Sequence, residues 1–296
     1  MKMKRLLSLI FALLLVFSAA ACGSSPTPED TDAVMAALEK FSACKSFTMV
    51  QVTECLESID FEGEKLSYNS HNETELSLIV EPALQLMSVN TTRVEGEGEY
   101  YEQFTASYVV PEGSIYTEYF TDGTVWYKSS SEDDSLLASI NADAIADTFY
   151  ADKLSYRKAG SEQLESGKAV RYDGKLAGED LLTMLVSYGY LNNVTSMSEN
   201  QQKKIADNLL KDLKGLTVSV WVDEVSGYPV RFEIDMSDIL KDVEDSISKT
   251  LGDKASDSQY SITDCTISMT VKDFDAVGEI ILPPEAASAS IYEAAE

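Results

Sequence analysis

Val218-Ser219-Val220-Trp221-Val222-Asp223-Glu224-Val225-Ser226-Gly227-Tyr228-Pro229-Val230-Arg231-Phe232-Glu233-Ile234-Asp235-Met236 decides the fold class. Val218, Val220 and Val222 alternate with Ser219, Trp221 and Asp223. After a turn over 223–227, Val230, Phe232, Ile234 and Met236 alternate with Arg231, Glu233 and Asp235. A period of two places successive side chains on opposite faces, so this is an antiparallel hairpin with one apolar and one polar face. The same period recurs outward from it. Cys265, Ile267, Met269 and Val271 share one face of a long last strand. Val170 and Tyr172 lie on a short strand ending near Asp173-Gly174. Towards the N-terminus, Phe47, Met49 and Gln51 alternate with Thr48, Val50 and Val52, and Leu76, Leu78 and Val80 share one side. Phe104, Ala106, Tyr108 and Val110 do the same. Tyr116, Glu118 and Phe120 precede Asp122-Gly123, a strong hairpin signal. The returning strand, 124–129, carries Trp126 and Tyr127.

Between the strands the spacing changes to three and four. Val34, Leu38 and Phe41 predict a helix over 31–44, capped by Thr31 or Asp32. Leu136, Leu137, Ile140, Ile145 and Phe149 suggest a helical or irregular stretch. Leu181, Leu182, Leu185 and Val186 predict a helix over 178–190. Ile205, Leu209 and Leu213 predict another over 198–213, with Ser198 and Gln201 or Gln202 at its start. Residues 239–251 form a third block. Leu282-Pro283-Pro284 ends regular structure, and 285–296 reads as a flexible tail of small and acidic residues. No internal linker divides 33–284. The expectation is an α+β unit: a strongly curved antiparallel half-barrel sheet covered by helices.

The N-terminus has a different composition. Lys2, Lys4 and Arg5 precede an uncharged, mostly apolar run over 6–21, too short to span a bilayer comfortably. Charge, apolar run and small residues in that order describe a signal peptide over 1–21. Ala19-Ala20-Ala21-Cys22-Gly23-Ser24 resembles the bacterial lipobox, in which the cysteine becomes the acylated N-terminus. Ala19 replaces the usual Leu. A plain secretory signal ending near a cysteine is the other reading. Acyl chains on Cys22 would anchor the chain at about 0.8 kcal/mol per buried methylene. The polar, proline-bearing stretch over 22–32 reads as a flexible tether. Loss of residues 1–21 removes three of 23 basic residues and none of 50 acidic ones, taking the formal charge from −27 to −30. So acidic a body is repelled by nucleic acid and by anionic membranes, which leaves the lipid to hold it on the extracytoplasmic face of the cell membrane. Nothing in the sequence indicates an oligomer, and a monomer is expected.

Besides Cys22 there are Cys44, Cys55 and Cys265. Three cysteines cannot all pair within one chain, so they read best as small buried hydrophobes. A bridge from Cys44, at a helix end, to Cys55, on a strand, is the competing reading, and the sequence leaves the pairing open.

Four stretches resemble bacterial lipoproteins of the LolA/LolB-like and LppX/LprG-like class. They are the lipobox at Cys22, Tyr119-Phe120-Thr121-Asp122-Gly123-Thr124-Val125-Trp126-Tyr127-Lys128, the hairpin over 222–232, and the ending from Phe274-Asp275 through Ile280-Ile281-Leu282-Pro283-Pro284-Glu285-Ala286. The resemblance implies a half-open barrel wrapped around helices with a hydrophobic cavity that accepts lipid or acylated molecules. It carries over no catalytic residue.

Signs of catalysis are thin. His71 is the only histidine, and its context, Tyr68-Asn69-Ser70-His71-Asn72-Glu73, has no nucleophile elbow. No metal-ligand spacing and no phosphate-cradling glycine loop occur, so neither metal nor cofactor is expected. Asn-x-Ser/Thr triplets at Asn72, Asn90 and Asn193 suggest no function. The apolar stripes admit two readings on one fold. Phe104, Tyr108, Val218, Val220, Val222, Phe232, Ile234, Ile267 and Met269 line an acyl-chain cavity under an adjustable helical lid, in a carrier of hydrophobic molecules. Alternatively they close into an ordinary core, in a surface interaction or signalling-associated lipoprotein. A hydrolase is the third and weakest option.

Overall fold

Twelve strands hydrogen-bond into one open sheet in the order β12-β6-β5-β4-β3-β2-β1-β11-β10-β9-β8-β7. In chain order they are β1 (Ser46–Phe61), β2 (Glu64–Ile79), β3 (Gln85–Gly96), β4 (Glu99–Glu112), β5 (Ile115–Thr121), β6 (Trp126–Ser131), β7 (Tyr156–Leu164), β8 (Gly167–Leu176), β9 (Leu216–Asp223), β10 (Pro229–Asp235), β11 (Ser258–Lys272) and β12 (Ser290–Ile291). Among the described residues these α-helices accompany them: α1 (Pro28–Ser42), α2 (Ala142–Thr148), α3 (Gly178–Ser187) and α4 (Ser237–Leu251). This computed structural model describes residues 25–61, 64–113, 115–131, 142–149, 151–187, 204–205, 207–208, 215–251 and 258–292. The fold is α+β, with a mixed sheet rather than a purely antiparallel one: β12 joins β6 in parallel, and the other pairings are antiparallel.

The sheet consists of two meanders. β1 to β6 are neighbours in chain order, as short turns between antiparallel strands allow, and so are β7 to β11. The meanders meet at a seam where β1 pairs with β11, from Thr48 opposite Lys272 to Phe61 opposite Ser258. On one face the helices cover the sheet. α1 buries Val34, Ala37, Leu38 and Phe41, with Phe41 edge-on to Phe47 at 5.0 Å. α4 buries Ile239, Leu240 and Val243 and packs on β11. α3 buries Leu181, Met184 and Leu185. Each fully buried Leu or Phe contributes roughly 2–3 kcal/mol through area removed from water.

Several expectations need correction. α1 begins at Pro28, not at residue 31, so 28–32 of the expected tether is helical. Proline suits the first helical position, and the Thr27 hydroxyl accepts from the Asp30 amide at 3.1 Å, which makes Thr27 the cap. Thr31 serves elsewhere: its Oγ1 accepts from the Tyr156 amide at 2.9 Å. The predicted helix over 178–190 is described to Ser187. The one over 198–213 lies outside the described residues except for 204–205 and 207–208, which are helical, with Ile205 buried.

As far as it is described, the expected tail over 285–296 carries a 3-10 turn (Pro284–Ser288) and β12. The Asp275 amide donates to the Ser46 carbonyl at 2.8 Å and that of Tyr292 to the Lys128 carbonyl at 2.9 Å, and the Ile280 amide donates to Gln85 Oε1 at 3.3 Å. This strap crosses from β1 to β6 and supplies β12, covering an edge that would otherwise expose unpaired backbone groups. Finally, β10 carries a bulge between Pro229 and Arg231. Val230 therefore leaves the stripe of Phe232 and Ile234 and joins Ala169 and Trp221 in a small cluster on the opposite face.

Candidate functional site

Register defines the inner face. Val218 lies opposite Ile234, and Val220 opposite Phe232; Ile234 then pairs with Ile267, and Phe232 with Met269. These six side chains are 0–4% exposed and belong to one continuous core, with Val222 half-buried against it. Phe149 packs on Phe232 with centroids 5.4 Å apart.

Phe104 and Tyr108 do not join them. Tyr108 pairs with Met87, Met87 with Ser77, Ser77 with Thr48 and Thr48 with Lys272; Lys272 is out of phase with Ile267, Met269 and Val271. Phe104 has the same parity and is 43% exposed. Tyr108 packs beside Trp126 at 5.9 Å, and partial burial raises its phenol pKa. Periodicity identified a stripe correctly but not which side of the sheet it occupies.

In the β1–β6 meander the inner face changes character row by row. Phe47, Leu78, Leu86 and Val109 form an apolar row, and the next row runs Met49, Leu76, Ser88, Ser107, Phe120, Tyr127. Gln51, Thr74, Asn90 and Thr105 follow, then Thr53, Asn72, Thr92 and Gln103. Asn72 Nδ2 donates to Thr92 Oγ1 at 2.8 Å, and Asn90 Nδ2 donates to Asn72 Oδ1 at 3.1 Å and to Thr74 Oγ1 at 2.9 Å. Thr92 Oγ1 donates to Asn90 Oδ1 at 3.2 Å. A ladder of amides and hydroxyls is thus held on the sheet without formal charge, each bond contributing about 1 kcal/mol net. The triplets at Asn72 and Asn90 build it, because residues i and i+2 of a strand share a face. The triplet at Asn193 lies outside the described residues.

Beside this ladder is a hollow of about 410 Å³, lined by Ser88, Thr105, Ser107, Phe120 and Tyr127. Tyr292, brought by the strap, closes an aromatic group with Phe120 at 5.3 Å and Tyr127 at 6.0 Å. Sequence reasoning missed these residues because inward-facing Ser, Thr and Asn read as surface. The period-two Asn-x-Thr spacing was the available signal. A second groove, about 640 Å³, runs between α1 and α2, with Met35, Ala36, Leu38 and Ala146 along it and Asp32, Glu39, Asp147 and Asp152 at its rim.

His71 is far from either. It stands on the opposite face, with Nδ1 3.3 Å from Glu54 and Nε2 3.6 Å from Glu73. No three His, Cys, Asp or Glu side chains converge as metal ligands among the described residues.

The cysteine expectation also needs correction. Cys55 and Cys265 lie opposite each other across the β1–β11 seam and form a disulfide, with Cα atoms 4.1 Å apart and a sequence separation of 210. The partner is chosen by strand register, which spacing along the chain does not reveal. Among the described residues, Cys44 alone stays a free buried thiol. Burial, with Asp275 nearby, pushes its pKa up to about 11.

No protein-family model and no curated protein matches the sequence. The chain is similar to LprF from Mycobacterium bovis, at 12% identity and a TM-score of 0.45, over 88% of this chain and 99% of that one. It is also similar to the lipoprotein LppX from Mycobacterium tuberculosis, at 9% identity and a TM-score of 0.39, over 86% of this chain and 99% of that one. Among the described residues, no helix is long and apolar enough to cross a membrane.

Proposed function

We propose that the mature chain is a lipoprotein anchored through acyl chains on Cys22 to the extracytoplasmic face of the cell membrane, and that it binds a hydrophobic guest, a lipid or an acylated molecule, without catalysing a reaction. The observation that carries this reading is the graded inner face of the β1–β6 meander beside the 410 Å³ hollow. An amphiphile suits such a surface. Its tail would lie against the Phe120 and Tyr127 rings, and its polar part would meet Ser88, Thr105, Ser107 and the Asn72–Asn90 ladder. In this reading the sheet curls as a half-barrel around the guest, and Val218, Val220, Phe232, Ile234, Ile267 and Met269 form the packed wall behind it. The Cys55–Cys265 disulfide supports an oxidising compartment outside the cytoplasm.

The test uses the Cys22→Ser chain, free of its anchor, in native mass spectrometry. Co-purifying lipid is expected, and Ser107→Trp, which fills the hollow, should expel it while Val225→Ala at an exposed turn should not. Absence of lipid, or lipid retained by Ser107→Trp, counts against this site. A closed-core lipoprotein acting through its acidic surface is the second reading. It draws support from the 0–4% exposure of the central stripes, and a ligand-free protein with no effect of Ser107→Trp would favour it.

A further inference from the structure

The N-terminal end of α1 is locked to the free edge of the sheet. The Thr27 amide donates to the Tyr156 carbonyl at 3.2 Å, the Tyr156 amide to Thr31 Oγ1 at 2.9 Å and the Lys158 amide to Asp30 Oδ2 at 3.0 Å. Thr31 Oγ1 in turn donates to the Thr27 carbonyl at 3.1 Å. Thr27 is therefore fixed against β7. From Cys22 to Thr27 the chain can reach no more than about 18 Å even when fully extended. α1 itself, fifteen residues long, spans about 22 Å. Its far end meets the β9–β10 turn, where Lys40 Nζ donates to the Ser226 carbonyl.

From these lengths we infer that the body does not tumble freely on its anchor but presents one end to the bilayer: the N-terminus of α1 with the Ser155–Lys158 portion of the sheet edge. This rests on the lipoprotein reading of Cys22. The tether is shorter than the helix it holds, so the Asp223–Gly227 turn cannot take the same place without the body rolling over its own attachment. The membrane-side end of the α1–α2 groove is then the one marked by Asp32 and Asp152.

The test places one fluorophore on a cysteine introduced at Ser155→Cys or at Val225→Cys in the full lipidated chain; Cys44 is buried and Cys55 and Cys265 are paired. The protein is inserted into vesicles of phosphatidylcholine and phosphatidylglycerol containing a headgroup-nitroxide lipid. Quenching at residue 155 should exceed that at 225 by about threefold. Adding 20 Gly/Ser residues after Ser25, a coil of roughly 25 Å r.m.s. length, should bring the two close to equal. Equal or reversed quenching with the native tether overturns the orientation, as does a ratio that the long tether leaves unchanged. Intact mass separates this from failure of the underlying reading: protein lacking the acyl mass refutes the anchor itself, whereas acylated protein with equal quenching refutes only the orientation.

Discussion

Removing the Cys55–Cys265 bond, by Cys55→Ala with Cys265→Ala or by reduction, should lower stability without changing the native fold. The bond joins strands 210 residues apart, and closing a loop of that length restricts the unfolded chain by about 5 kcal/mol in the chain-entropy account. The folded side of the equilibrium needs the bond less. The β1–β11 ladder runs along both strands, with Thr48 opposite Lys272 at one end and Phe61 opposite Ser258 at the other, and its hydrogen bonds hold the seam closed. We therefore expect a loss of about 3–5 kcal/mol, the lower figure allowing for residual structure in the unfolded chain. With a urea m-value near 3 kcal/mol/M for a chain this long, the midpoint should fall by about 1–1.5 M, and Tm by roughly 10 °C. The assay is urea unfolding followed by near-UV circular dichroism, with and without reductant, using Cys44→Ser as the control. A loss below about 1 kcal/mol would refute the loop-closure argument. Loss of the near-UV spectrum on reduction, in the absence of urea, would refute the claim that the seam stands without the bond.

Trp221 is 2% exposed, lies between the Arg171 and Arg231 guanidinium groups at 5.1 and 4.9 Å and donates from Nε1 to Glu162 at 3.0 Å; Trp221→Ala should cost about 3–5 kcal/mol in urea unfolding, and Trp221→Phe less. Thr27→Ala removes the cap of α1 and should cost about 1 kcal/mol, read from the same midpoints. Cys44 should resist iodoacetamide in the folded protein at pH 8 and react as pH approaches 11, followed by intact mass, because its folded pKa is raised by burial. The sign for stability follows: the protonated thiol's contribution is complete below the unfolded value of 9.0 and is lost as pH rises towards about 11. His71→Gln should leave stability within about 0.5 kcal/mol, since its carboxylate partners are exposed pairs.

Much of the sheet was legible because burial on one face writes a period of two into the chain. Val218, Val220, Phe232 and Ile234, with Cys265, Ile267, Met269 and Val271, alternate and pack as core. β3 and β7 escaped for the same reason in reverse. Ser88, Asn90 and Thr92 point inward on β3 and are polar, so no hydrophobic alternation marks that strand. β7 is an edge, with few inward apolar residues. The candidate hollow was illegible because Phe120, Tyr127 and Tyr292 come from β5, β6 and the C-terminal strap, and only the β5–β6 and β6–β12 pairings bring them together.

By itself the sequence determined the fold class, the central stripes and the composition of the N-terminal segment, since each is a local property: alternation, helical spacing, or a run of charge and apolar residues. Only the tertiary structure decided what depends on register. It put Phe104 and Tyr108 on the face opposite Val220 and Phe232, matched Cys55 with Cys265, moved Val230 across the sheet through a bulge, and bound the C-terminal segment to β6. Register is a relation between distant strands, and a shift of one residue exchanges the two faces without altering the alternation that a single strand displays.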